Sequence, residues 1–227
     1  WVAIDLESNK ESNNLMTFAK SRFVVFVDAG HSGIDMNGIY ATAGKRAFHP
    51  EYELHQNGHY FEGYENRIVA EMFIEKCTQA GIQTIRTYHP YKDTPLLERA
   101  SLVTDYLHRG YYGYMHSFHS NAISSSNSKD KLENTKGFSV YTTTGQNYSD
   151  KIADVHFKHM KTALPDWKFR TQDKDGDADY ESNFYILRHT DLEHFTKFGA
   201  ILEEFGFHTS GQDCEFIVNH RKQRVQA

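Results

Sequence analysis

The sequence predicts a layered α/β domain, because short apolar runs rich in Val, Ile, Phe and Tyr alternate along it with longer segments of helical period. Its 227 residues suffice for one such domain with a core that needs no covalent staples. Cys77 and Cys214 stand far apart and form no Cys-x-x-Cys pair, which removes both a disulfide framework and a thiolate zinc knuckle.

The elements follow in order. Phe23 to Val27 (FVVFV) is a continuous apolar run, the mark of a buried central strand. From Tyr64 to Ala80 the periodicity predicts a helix with Ile68, Val69, Met72, Phe73, the Lys76 stem and Ala80 on one face, and Gly81 follows where a left-handed cap is wanted. Ile82 to Tyr88 (IQTIRTY) is a second strand. Thr94-Pro95 opens another helix with Leu96, Ala100, Val103 and Leu107 on its buried stripe, ended by Gly110. Tyr111 to His119, Gly137 to Thr144, Phe184 to Arg188 and Phe198 to Phe207 supply further strands, the last of which equally suits the start of a helix. Ser149 to Leu164 is predicted helical. Ala122 to Lys136 is a Ser/Asn/Lys-rich loop, Thr171 to Ser182 an acidic one. Ser32 to Gly63, rich in Gly, His and Tyr, is long enough that a compact domain uses it as a functional loop or lid. Residues 1–22 are expected to be an N-terminal extension ahead of a single domain over 23–227.

With 25 Lys+Arg against 30 Asp+Glu the formal charge is −5, too slight an imbalance for a chain that tracks nucleic-acid phosphates. No window approaches the ~18–20 apolar residues of a membrane span, so no membrane insertion is expected. The first twenty residues lack the basic start and apolar stretch of a signal peptide, and none is visible in this chain. A monomer is expected.

Fourteen histidines make any one of them an ordinary surface residue unless its position says otherwise. His31 sits in DAGHSG directly after the first strand, at the carboxyl edge where open α/β sheets build their sites. His119, in SFHSNA, ends another strand, and Glu65, in EGYENR, falls in the first turn of a helix, where the macrodipole favours an ionised carboxylate. Two histidines and one glutamate are a catalytic zinc set with a fourth position open for water, and Glu204 in LEEFGF stands where a proton-relaying base is needed. The residues alone support either zinc-dependent hydrolysis of an amide or ester, or a set of ordinary surface polars meeting a loose template. Glu203 neighbours Glu204 but belongs to the opposite strand face. His116 is the weaker ligand candidate. Asn121 and Arg188 are candidate substrate contacts, Arg188 either clamping a carboxylate or pairing on the surface. Asp173, Asp175, Asp177 and Asp179 lack the Gly and Glu spacing of a calcium loop and are expected to form an exposed acidic loop.

In this order DAGHSG, a Glu-Asn at the start of a helix, SFHSNA and LEEFGF resemble the zinc-dependent N-acetylmuramoyl-L-alanine amidases of bacteria and their phages, over Phe23 to Ser210. LLERA and FYILRHT resemble further segments of that family. The resemblance implies a three-layer α/β/α sandwich around a mixed, mostly parallel sheet, similar to zinc carboxypeptidases. It assigns Zn2+ to His31, Glu65 and His119 and the catalytic role to Glu204. It also implies a bond to be cut, the amide between the lactyl group of N-acetylmuramic acid and L-alanine in peptidoglycan, with action on the cell wall, extracellular, periplasmic or virion-borne. Ala29 stands where the family usually has Pro, and Thr209 or Ser210 where it usually has Asn; neither position need touch the metal. IYATAGKRAF resembles phage-type members and implies a lysin origin. Two rival readings are a carboxypeptidase-type zinc hydrolase and a wall-binding or virion module without turnover; the second has no need of a base at Glu204.

Overall fold

A computed structural model describes residues 22–172, 176–192 and 194–227. The apolar run becomes β1 (Phe23–Ala29), with every residue after the first buried. From Phe23 to Val27 the side chains on both its faces are apolar because helices cover both. Its neighbours are β4 (Thr84–Arg86) on one side and β5 (Tyr112–Asn121) on the other, followed by β8 (Phe198–Phe207), β6 (Phe138–Thr142) and β7 (Tyr180–Glu181). All these pairs are parallel except β6 with β8, so the sheet is mixed and mostly parallel.

Alternation along the strands sorts the core into layers. Val24 and Phe26 of β1, Met115 of β5, and Ala200 and Leu202 of β8 pack against Ala100, Val103 and Leu107 of α2 (Leu96–His108). On the other face Val25 and Val27 meet Val69, Ala70 and Ile74 of α1 (Glu62–Gln79), while Ile201 and Phe205 meet Ala153, Phe157 and Met160 of α4 (Tyr148–Ala163). The result is an α/β/α sandwich. Cys77 and Cys214 are buried free thiols.

Several expectations change on folding. Phe184 to Arg188 is no strand: Tyr185–Arg188 forms a helical turn, α5, whose consecutive residues Ile186 and Leu187 are both buried against the α2 side. A short apolar run fits either state. The buried face of α1 is Val69, Ala70, Ile74 and Cys77, whereas Lys76 and Ala80 are exposed and Ile68, Met72 and Phe73 partly so. Its first turn is sealed almost all round because it plugs the carboxyl edge of the sheet. The expected loop at Ala122 to Lys136 carries the short helix α3 (Lys129–Asn134), and Ser32 to Gly63 contains a hairpin of β2 (Arg46–Phe48) and β3 (His59–Phe61). Asp173 and Asp175 lie outside the described residues, but Asp179 is buried and accepts a hydrogen bond from Thr142 Oγ1, so that end of the acidic segment is packed on β6. The chain ends in α6 (Gly211–Asn219) and α7 (Arg221–Arg224). Of the expected extension over 1–22, all but Arg22 lies outside the described residues.

One buried pair ties α2 to the middle of the sheet. Asp28 accepts hydrogen bonds from Arg99 Nη1 at 2.9 Å, Ser117 Oγ at 2.6 Å and Thr87 Oγ1 at 2.6 Å. Burial alone would raise the Asp28 pKa, but the Arg99 charge and the hydroxyl donors outweigh it and hold the carboxyl below its ordinary value. Removing one partner of such a pair leaves a buried charge uncompensated. Asp28→Asn is therefore expected to cost about 3–5 kcal/mol, read as a lower denaturant midpoint at unchanged slope; a loss within experimental error would contradict the assignment.

Candidate active site

The site starts at the turn that ends β1. His31 has φ of 63°, a left-handed backbone that a non-glycine residue holds only when its surroundings fix it. Two buried arginines supply that constraint. Arg99 Nη1 donates to Ala29 O at 2.6 Å, Arg67 Nη1 to Gly30 O at 3.2 Å, and Arg67 Nη2 to His31 O at 2.7 Å. Gly30 is required for a second reason: a Cβ there would lie 2.1 Å from Cε1 of the His119 ring. The turn and the end of β5 thus press two imidazoles together, their ring centroids 5.1 Å apart.

The carboxylate between them is Glu62, the first residue of α1. Its Oε1 lies 3.2 Å from His31 Nε2 and 3.0 Å from His119 Nδ1. Its Oε2 has no hydrogen-bond partner among the described residues, and His208 Nδ1 approaches it to 3.7 Å. Glu62 is 1 % exposed. Burial would lift its pKa, yet hydrogen bonds to His119 and His31 and the nearby imidazoles hold it well below the carboxylate range. Burial also depresses the His119 pKa, against the pull of Glu62, which favours a neutral ligand-type ring. His31, Glu62 and His119 bring ligand atoms within 4.8 Å of one another. Two imidazoles, one carboxylate and an orphaned buried oxygen fit a zinc-class cation with a coordination position to spare.

Glu65, the expected ligand, is not in this set. It stands one turn further along α1, fully buried, with Arg221 Nε at 2.7 Å from Oε1 and His55 Nε2 at 2.8 Å from Oε2. Its carboxylate is consumed in fixing α7 and the segment before β3 to α1. Both glutamates occupy the first turn of one helix three positions apart, where side chains share a face, so helical position alone does not separate them.

Glu204 faces a cavity of about 290 Å³ that His31, Glu62, His119, Lys45 and Asn121 also line. Its neighbour in register on β5 is His119. Glu204 Oε2 is sealed from solvent without a partner among the described residues. Burial first, and the Glu62 charge next, push its pKa well above the ordinary value. Glu203 points to the opposite face, as alternation requires, but it is fully buried and paired with Arg224, so it is no neutral surface residue. Arg188 does not line the cavity. It is exposed beside a separate pocket with Asn147, Asn183 and Asp191, carried there by the helical turn that replaces the expected strand. Lys45 and His208 were not singled out by sequence; Lys45 stands in the long Ser32 to Gly63 segment, and His208 directly follows the LEEFGF motif.

The family model described as N-acetylmuramoyl-L-alanine amidase matches residues 25–227, and the chain belongs to that family. No curated protein matches it. Among solved structures it is similar to an N-acetylmuramoyl-L-alanine amidase from Clostridium difficile 630, with TM-score 0.64 and 20 % identity over 90 % of this chain and 91 % of that one. AmiC2 of Nostoc punctiforme gives 0.63 and 18 % over 91 % and 92 %. The catalytic domain of CwlV from Bacillus (Paenibacillus) polymyxa var. colistinus gives 0.60 and 19 % over 90 % and 92 %. At these identities the likeness is one of fold.

The two glutamates of α1 are separable by experiment. After loading with Zn2+, Glu62→Gln is expected to bind one equivalent per chain fewer than the parent with the fold retained, whereas Glu65→Gln binds as much as the parent and loses thermal stability, because Arg221 is left without its counter-charge. The reverse pattern in metal analysis would return the ligand role to Glu65.

Proposed function

We propose that this member of the N-acetylmuramoyl-L-alanine amidase family hydrolyses the amide between N-acetylmuramic acid and L-alanine of peptidoglycan, with Zn2+ held by His31, Glu62 and His119. The observation that carries the reading is the convergence on one cavity, at the carboxyl edge of the sheet, of that ligand-type set and of Glu204, whose Oε2 has no partner among the described residues. Zinc at such a set supplies Lewis acidity toward an amide carbonyl and makes water nucleophilic near neutral pH.

The remaining chemistry belongs to the chain's own side chains. Glu204 accepts a proton from the attacking water and passes it to the departing alanine nitrogen; its raised pKa lies on the side that a proton shuttle near neutral pH requires. Lys45 offers a cation at the cavity for a substrate carboxylate or for charge developing on the amide oxygen. Asn121 offers a polar edge, while Leu96 and Phe184, 47 % and 38 % exposed, form an apolar rim suited to the lactyl and alanyl methyl groups. Arg67 and Arg99 take no part in the reaction; they hold the His31 turn in position.

The chain is proposed to act on the wall as a monomer, outside the cytoplasmic membrane or carried by a virion. Among the described residues no helix is long and apolar enough to cross a membrane. A phage or phage-like lysin is the proposed origin, resting on the resemblance of IYATAGKRAF alone.

Digestion of purified peptidoglycan is expected to create new L-alanine amino termini and new free lactyl carboxyls, read by mass spectrometry; release of a terminal amino acid with that bond uncut would favour a carboxypeptidase-type hydrolase. Glu204→Gln keeps shape and removes basicity. It is expected to retain zinc and lower turnover at least ~100-fold, the lower range for a positioned acid–base group. A near-normal rate would assign the base to another residue.

A further inference from the structure

Behind the candidate active site, on the other face of β5 and β8, lies a second set of ligand-type side chains. His116 comes from β5, Glu203 from β8 and His156 from α4, and their ligand atoms lie within 4.8 Å of one another. We propose that His116, His156 and Glu203 form a second binding site for a zinc-class divalent cation, structurally separate from the cavity of Glu204.

Three features point to an ion rather than to a plain ion pair. Glu203 Oε2 is 2.9 Å from His156 Nε2 and 3.6 Å from His116 Nε2. Ligands on a tetrahedral zinc with bonds of ~2.0–2.1 Å stand about 3.3 Å apart, between those two values. His116 is 3 % exposed, and its Nε2 has no hydrogen-bond partner among the described residues, although it aims at the shared carboxylate oxygen. An orphaned buried ring nitrogen carries a desolvation cost that coordination removes. Burial pushes the His116 pKa down to about 4, against the pull of Glu203, so the ring is neutral, the form in which imidazole binds a cation.

The surroundings have the organisation expected around a metal ligand. Arg224 donates through Nε to Glu203 Oε1 at 2.8 Å, fixing the carboxylate by the oxygen that faces away from the two histidines. The arginine is itself held over the rings of Phe118 and Phe205, at 5.4 Å and 4.3 Å from their centroids. His116 stacks on Phe118 with centroids 4.2 Å apart, which fixes the plane of the ring. A mostly apolar cavity of about 420 Å³, lined by Phe73, Tyr114, Ile152, Val155 and both histidines, opens onto the set and gives an ion a path in and a fourth ligand room to bind. The proposed reaction uses none of these residues. Glu203 and Glu204 are successive on β8, so the two sites lie back to back across one strand.

The test is metal stoichiometry with Zn2+ alone. The full chain, stripped with chelator, reloaded and desalted, is compared with Glu62→Gln, His156→Gln and the double variant by elemental analysis. Two equivalents are expected in the parent, one in each single variant and none in the double. His156→Gln retains a hydrogen-bonding group toward Glu203 and a good helix former on α4. Should it fail to fold, as judged by circular dichroism, His116→Gln replaces it. In Glu62→Gln, Zn2+ is expected to raise the melting temperature, and that rise should vanish when His156→Gln is added. A parent holding a single equivalent that Glu62→Gln abolishes would overturn the second site, as would a second equivalent indifferent to both His156→Gln and His116→Gln.

Discussion

The candidate site depends on one fully buried carboxylate that is shared between two imidazoles and whose other oxygen has no hydrogen-bond partner among the described residues. Ionised Glu62 is tolerated at the edge of the core because His31 and His119 sit against its Oε1, the Ser120 amide donates to the same oxygen, and the start of α1 adds a favourable dipole. These partners come from three elements, since His119 and Ser120 both belong to the end of β5. The turn after β1, the end of β5 and the first residue of α1 must therefore be held in register to within a fraction of an ångström for the set to exist, and much of the structure around them serves that end.

The means are polar and buried. Arg67 from α1 and Arg99 from α2 reach the same backbone turn from two directions and satisfy the Ala29, Gly30 and His31 carbonyls where β1 ends. Arg99 is neutralised by Asp28 at the end of β1, so the strand that presents the turn also anchors the helix that braces it. Arg221 and Arg224 repeat the device at the chain's end, pairing with Glu65 and Glu203. Four arginines, all buried except the partly exposed Arg221, thus frame two clusters of histidine on opposite faces of one sheet.

Much of this was legible in the sequence where pattern and chemistry coincide. The apolar run of β1, the helix closed by Gly81 with φ of 73°, and the alternation of β5 and β8 each carry their own signal, and DAGHSG, SFHSNA and LEEFGF mark the sheet edge on which His31, His119 and Glu204 converge. What could not be read was set by contacts distant in sequence. Glu62 and Glu65 share the first turn of α1, and the one that faces the histidines is fixed by Arg221, some 150 residues away, taking the other. Phe184 to Arg188 has no periodicity long enough to separate strand from helix, and with that turn went the position of Arg188. The buried arginines were invisible for the same reason: nothing near Arg67 or Arg99 in sequence says that a charged residue there points inward.

Under the proposed function the metal is held through Glu62 and not Glu65. Anomalous scattering collected on crystals at the zinc absorption edge tests it most directly. A peak about 2.0–2.2 Å from ligand atoms of His31, Glu62 and His119, with Glu204 beside it but uncoordinated, is the expected result. A peak bonded to Glu65, or none between His31 and His119 in crystals grown with zinc, would contradict it.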